Sequence, residues 1–197
     1  MQTFFAQFGH PRGVLGWVVG TIMAFENRAR NQWAVSLLDA QPQEHILEIG
    51  FGPGLAIRAL GQTTGAALIA GVDDSLVMMQ QARKRNTAAI RSGRVALQHG
   101  SVAQLPYPDA AFHKVLAVNS LHHWPAPSDN LREVRRVLKP NGLVAIVEQP
   151  RGVATDEQVQ ARADELATLL VTAGFQNIRR AFQPMRPAPS IGVLGMC

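Results

Sequence analysis

Residues 45–56 read HILEIGFGPGLA, an apolar run carrying one acid, Glu48, that ends in glycines at 50, 52 and 54 with Phe51 between the first two. A strand leading through Gly-x-Gly-x-Gly into a helix bares backbone N–H groups and a helix N-terminus to a ligand at the carboxyl edge of a sheet. In the dinucleotide fingerprint the third glycine comes three residues after the second, so that the helix can hug a pyrophosphate. Here it comes one step early, at Gly54, and Leu55 stands in the fingerprint position. Glu48, two residues before the first glycine, would repel a pyrophosphate as well. A ligand with a ribose, an ammonium and a carboxylate but no phosphate suits this loop better, and S-adenosylmethionine has that chemistry.

Asp73 falls 23 positions after Gly50, at the end of the second apolar run, where a carboxylate can accept from both ribose hydroxyls. Asp73 could instead cap the next helix, but Asp74 and Ser75 are better placed to do so. A second group of reactive side chains is Asn119-Ser120-Leu121-His122-His123-Trp124, which follows another apolar run and so lies on the same sheet edge. Methyl transfer at a sulfonium carbon needs alignment above all, and a base only if the acceptor must lose a proton. Imidazole titrates near ~6.5 and can serve, which makes His122 and His123 the catalytic candidates. Trp124 reads as a wall of the substrate pocket, and His10 can enter that pocket from the N-terminal segment. Neither His pair nor neighbours supply Cys, Asp or Glu at metal-ligand spacing, so a zinc site is not expected.

The elements that must position these groups are regular from residue 45 onward. Strands are expected over 45–49, 67–72, 95–98, 115–118 and 143–147, with helices over 55–60, 76–89 and 130–138 between them. Alternation of this kind gives right-handed crossovers and a parallel sheet covered on both faces. A further helix over 156–173 has a capping box, Thr155 with Gln158, and is stopped by Gly174. Two last strands, around 175–182 and 191–196, are separated only by a proline-rich turn and must pair antiparallel. The expected fold is therefore α/β, a Rossmann-like, doubly wound, seven-stranded sheet, mostly parallel with one antiparallel strand near an edge. Residues 1–41 form a separate helical segment in this reading, either a lid or a packing helix, and 42–197 the ligand-binding domain.

Four blocks in this order resemble the class I S-adenosylmethionine-dependent methyltransferases, especially the ubiquinone/menaquinone-biosynthesis-like small-molecule branch. They are ILEIGFGPG, GVDDSLVMMQQAR from Gly71, LPYPDAAFHKVLAVNSLHHWP from Leu105 and LREVRRVLKPNGLVAIVE from Leu131. The resemblance implies that Glu48 and the backbone of Gly50, Phe51, Gly52 and Gly54 hold the methionine end of the cofactor. It also implies that Asn119 offers a carbonyl to the ammonium and that Asp73 grips the ribose. Two positions depart from the family pattern. Asp74 stands where an apolar residue usually covers the adenine, leaving that role to Leu76 or a neighbour. Ser101-Val102 replaces the usual Asp-Ala at the adenine edge, so Ser101 can accept only a neutral, weaker hydrogen bond while Val102 leans on the ring.

Composition narrows the partners. The net charge of +5 comes from scattered Arg and Lys, with one Tyr and no aromatic ladder, so nucleic acid is not the expected partner. The apolar stretch 14–25 is too short to span a bilayer; it suits a packing helix, a lid over a greasy substrate, or a helix resting on a membrane surface. A single cysteine, Cys197, and the lack of a cleavage site after that stretch fit a cytoplasmic protein. Phe4, Phe5, Phe8, Trp17 and Phe25 favour a small or hydrophobic acceptor, and a homodimer remains open. The alternative is a protein that binds the cofactor without catalysis or uses it for another reaction.

Overall fold

The computed structural model describes residues 28–150 and 154–197. His10, the 14–25 stretch and the aromatic residues before residue 28 lie outside them. Helix α1 (Arg28–Leu37) precedes β1 (His45–Ile49), α2 (Leu55–Thr63), β2 (Leu68–Asp73), α3 (Leu76–Arg85), the short α4 (Thr87–Arg91) and β3 (Val95–His99). Then follow β4 (Phe112–Val118), a 3-10 turn (Leu121–His123), α5 (Pro127–Val137), β5 (Leu138–Glu148), α6 (Asp156–Thr172), β6 (Gln176–Gln183) and β7 (Ser190–Met196).

The seven strands run in the order β3-β2-β1-β4-β5-β7-β6, parallel except for β7, which is antiparallel to both neighbours. The chain builds outward from β1 to one side and then restarts at β4 on the other, so the carboxyl ends of β1 and β4 part at the switch point and leave a crevice. Central strands are apolar on both faces because both faces are covered. Phe112, Leu131, Val134 and Leu166 pack with α5 and α6 on one side, and Ile46, Ile57, Leu60 and Leu116 pack with α1 and α2 on the other.

The buried stripe of α1 is Asn31, Ala34, Val35 and Leu38, the i, i+3, i+4, i+7 pattern of a helix laid on a core. It rests on α2 and across β4, β5 and β7. One member of that stripe is an amide, not an alkane, and its position matters below.

Three of the element boundaries that differ from expectation have a local cause. The helix expected over 76–89 breaks at Asn86, whose buried side-chain amide donates to the carbonyls of Gly54 (3.1 Å) and Ala82 (2.9 Å). Helix α5 starts at Pro127, a residue suited to a first helical turn, and not at Asn130, whose Oδ1 instead accepts from the Ala126 N–H (3.1 Å). Strand β5 begins at Leu138, pairs with Phe112, and bulges through Asn141 (φ 63°) before rejoining β4 at Leu143. The capping box of α6 is present as expected, with Thr155 Oγ1 accepting from Gln158 N at 3.2 Å, and Gly174 ends the helix at φ 91°.

Candidate active site

The three glycines of the β1–α2 loop all have positive φ, yet they serve different ends. A Cβ at Gly50 would sit 2.4 Å from the Cβ of Ser120, at the end of β4. A Cβ at Gly54 would sit 2.9 Å from the Ala82 Cα on α3. Gly52 alone has nothing within 4 Å, because its missing side chain faces an open cleft. Gly50 and Gly54 thus let two other elements approach the loop, while Gly52 bares backbone to a ligand.

The cleft encloses about 1070 Å³ counting its open mouth and lies at the switch point. Two buried carboxylates line it. Asp73, at the end of β2, accepts from Gly52 N through Oδ2 (2.8 Å) and from Ser75 N through Oδ1 (2.9 Å). A carboxylate offers about four acceptor sites, so each oxygen keeps one for a hydroxyl in the cleft. Burial pushes the Asp73 carboxyl up to about 6, against the pull of those two N–H groups, with Asp74 adding to the rise and His99 opposing it. Glu48 is only 2% exposed, and its Oε2 has no hydrogen-bond partner among the described residues. Burial, and then the nearby Asp73 charge, hold its carboxyl well above the usual range, and the Ile57 N–H offsets this only in part. A cation in the cleft would relieve both groups.

The far wall comes from the β4 turn. Asn119 is left-handed (φ 49°), donates from its backbone to Val147 O (2.8 Å), and accepts through Oδ1 from Gln149 N (2.9 Å). The buried Ser120 hydroxyl donates to Ile49 O (2.8 Å), locking the ends of β1 and β4 together. The 3-10 turn then sends Leu121 and Trp124, three apart, to the same inner side. His122 and His123 are left outward with ring centroids 3.9 Å apart, and of the two only His123 lines the cleft.

Of the residues expected from sequence, Glu48, Gly50, Phe51, Gly52, Asp73, Asp74, Ser101, Val102, Asn119, His123 and Trp124 all line this one cleft. Gly54 instead spaces helices, and His122 faces away from the lining. Leu76 is 62% exposed and does not line the cleft, whereas Met78, about half a turn away, does. Ser75, not Asp74, caps α3, and the Ser101 hydroxyl accepts from Ala103 N at 3.2 Å. Sequence reasoning missed Met78, Ser120 and Asn31. For Asn31 a signal existed, since it is the polar member of an otherwise apolar helical stripe. Among the described residues no cluster of His, Cys, Asp and Glu could hold a metal, and no helix is long and apolar enough to cross a membrane.

Comparison with known proteins fits this geometry. The methyltransferase domain family profile matches residues 47–146. The uncharacterized methyltransferase YdaC of Bacillus subtilis (strain 168) is 31% identical over 175 residues, 88% of this chain and 94% of its own length. The 27-O-demethylrifamycin SV methyltransferase of Amycolatopsis mediterranei (strain S699) is 33% identical over 128 residues, 62% of this chain, and the match spans only 46% of that longer protein. Among solved structures, phosphoethanolamine N-methyltransferase 2 of Haemonchus contortus, in complex with S-adenosyl-L-methionine, superposes with a TM-score of 0.69 at 14% identity, over 85% of this chain and 52% of that one. The chain belongs to the S-adenosylmethionine-dependent methyltransferases. The residues present fit that cofactor: an unpartnered buried carboxylate for a cation, a second with spare acceptor sites for a ribose, and an open glycine between them.

Two outcomes follow. Gly54→Ala is expected to cost roughly 2–4 kcal/mol in denaturant unfolding, since backbone of α3 must move, and Gly52→Ala only about 1 kcal/mol, since strain at positive φ is its main penalty. The carboxylates make a paired expectation. The folded-state pKa of Asp73, about 6, lies above its unfolded value, so the stability it lends is full below about 4 and is lost as pH rises through about 6. Ribose hydroxyls donate to the ionised form, so cofactor affinity measured by calorimetry should fall as pH drops through about 6. Glu48→Gln, which removes a buried charge, should leave the Tm of ligand-free protein equal or higher while weakening cofactor binding about tenfold or more.

Proposed function

We propose that the protein methylates a small, uncharged, mostly apolar molecule at an O, N or C nucleophile whose proton is removed by His123. Two features of the cleft support this. Its lining is dominated by apolar side chains such as Phe51, Val102, Val118 and Trp124, and it includes no Lys or Arg among the described residues, so an anionic acceptor would find no counter-charge. His123 is the titratable side chain that lines the cleft from the β4 turn, away from the carboxylates of the cofactor end.

S-adenosylmethionine supplies, when bound, a methyl group on a positively charged sulfur. In-line displacement then asks the chain chiefly for alignment. In this reading Asp73 and the Gly52 backbone fix the ribose, and Ser101 with Val102 borders the adenine. Glu48 and the Asn119 carbonyl hold the ammonium end. Trp124 and Pro125 keep water from one side of the acceptor, and His123 takes the proton on a ring nitrogen. Residues 1–41, including His10 and the early aromatics, serve as cover for the acceptor over the cofactor-binding domain 42–197, and the reaction takes place in the cytoplasm.

The observation that carries the reading is the position of His123 on the lining with His122 off it. With fractions of a metabolite extract as acceptor and S-adenosylhomocysteine formation as readout, His123→Ala should lower turnover by about 10²–10⁴-fold with little change in cofactor affinity. His122→Ala should stay near wild type. Equal losses in the two variants, or none in either, would contradict the assignment of the base.

A further inference from the structure

Gln149, the first residue after β5, bonds through its backbone N–H and both ends of its side-chain amide, and each reaches a different part of the molecule. Its backbone N–H donates to Asn119 Oδ1 (2.9 Å) in the cleft wall. Its side-chain Oε1 accepts from the Arg30 guanidinium on α1. Its Nε2 donates to the carbonyls of Arg186 (3.0 Å) and Ala188 (2.6 Å) in the turn before β7. Arg30 is 8% exposed and its neighbour Asn31 is 7% exposed, so the junction is buried at its α1 end, while Gln149 itself is half-buried.

Asn31 lines the cleft from a helix outside the β1–β2 half of the sheet. Helix α1 crosses β4, β5 and β7, whereas Asp73 ends β2. In the order β2-β1-β4-β5 the span from β2 to β5 is three strand spacings, on the order of 14 Å. Asn31 therefore enters the cleft from the helix that also crosses β4 and β5, the strands that lead into Asn119 and Gln149. The residue that fixes the strained Asn119 turn is thus the one that holds the helix carrying Asn31.

We propose that Gln149 is a positioning residue that joins α1 to the Asn119 turn, so that Asn31 and Asn119, which both line the cleft, respond together when the cofactor site fills. The inference rests on the methyl-transfer reading of the cleft. It assigns Gln149 no contact with cofactor or acceptor; its effect passes through Asn119 on one side and Arg30 on the other. The Nε2 bonds to Arg186 and Ala188 orient the side chain so that Oε1 faces Arg30. A carboxylate at position 149 would keep a charged acceptor for Arg30 while losing the two donor bonds to Arg186 and Ala188, and a thioether of similar length would lose both.

The test is hydrogen exchange of the peptide covering residues 28–37, with and without saturating S-adenosylhomocysteine, in wild type, Gln149→Met and Gln149→Glu. Arg30→Met breaks the same tie from the helix side and guards against misfolding of one variant. Binding of S-adenosylhomocysteine should slow exchange of this peptide roughly tenfold in wild type and Gln149→Glu, and leave it unchanged in Gln149→Met and Arg30→Met. Its dissociation constant should agree within about twofold in all four proteins, because the backbone N–H of residue 149 keeps its bond to Asn119 Oδ1 in each of them. Ligand protection of the peptide that persists in Gln149→Met, or is missing in wild type, overturns the proposal. So does an affinity loss of tenfold or more in Gln149→Met, which would make Gln149 part of the cofactor site. Failure of wild type to bind S-adenosylhomocysteine at all is a different result, and it sinks the methyl-transfer reading itself.

Discussion

Two carboxylates, Glu48 and Asp73, are buried at the ends of adjacent parallel strands with no Lys or Arg beside them among the described lining residues, and the organisation of the site follows from that constraint. Burial holds both carboxyls above their usual range, and the Asp73 charge adds to the rise at Glu48. A fold selected for stability alone would replace them or pair them, as it pairs Glu148 with Arg162 (2.8 Å) and Glu44 with Lys114 (2.8 Å). The opposite arrangement here stores an electrostatic demand that a cationic, ribose-bearing ligand satisfies.

The surrounding fold makes the demand possible by close packing at the switch point. Gly50 admits Ser120, whose hydroxyl ties β4 to β1, and Gly54 admits α3 and the Asn86 amide. These contacts leave Gly52 as the open position and aim its N–H at Asp73. Donors already committed to Asp73 keep its oxygens fixed, so a ligand meets a preorganised acceptor and the chain need not reorder. Across the cleft, Asn119 is held in a left-handed conformation from two sides, by Val147 and by Gln149.

The sheet and most of the site were legible in the sequence because they are written in local patterns. The Gly-x-Gly-x-Gly spacing, the acid 23 residues on and the strand-helix alternation each lie within one short window, and the proline turn before β7 dictated the reversed strand. What stayed hidden depends on contacts across the chain. Ser120 meets Gly50 from 70 positions away, and the break at Asn86 is made by a carbonyl 32 residues earlier. That Met78 and not Leu76 lines the cleft depends on helical phase, which the place of Leu76 beside Asp73 did not reveal. The same holds for His122 and His123, which only the pitch of the 3-10 turn separates. Asn31 was readable in principle, as an amide in an apolar stripe, though the ligand that gives it meaning binds to a different part of the chain.

The most direct test is the binding of S-adenosylmethionine to wild type and Asp73→Ala at neutral pH, measured by calorimetry alongside circular dichroism. Loss of two hydrogen bonds to a charged acceptor should weaken affinity by at least about a hundredfold while the spectrum is preserved. Unchanged affinity in a folded variant would show that the ribose is not held at the end of β2, and the account built on the two carboxylates would be wrong.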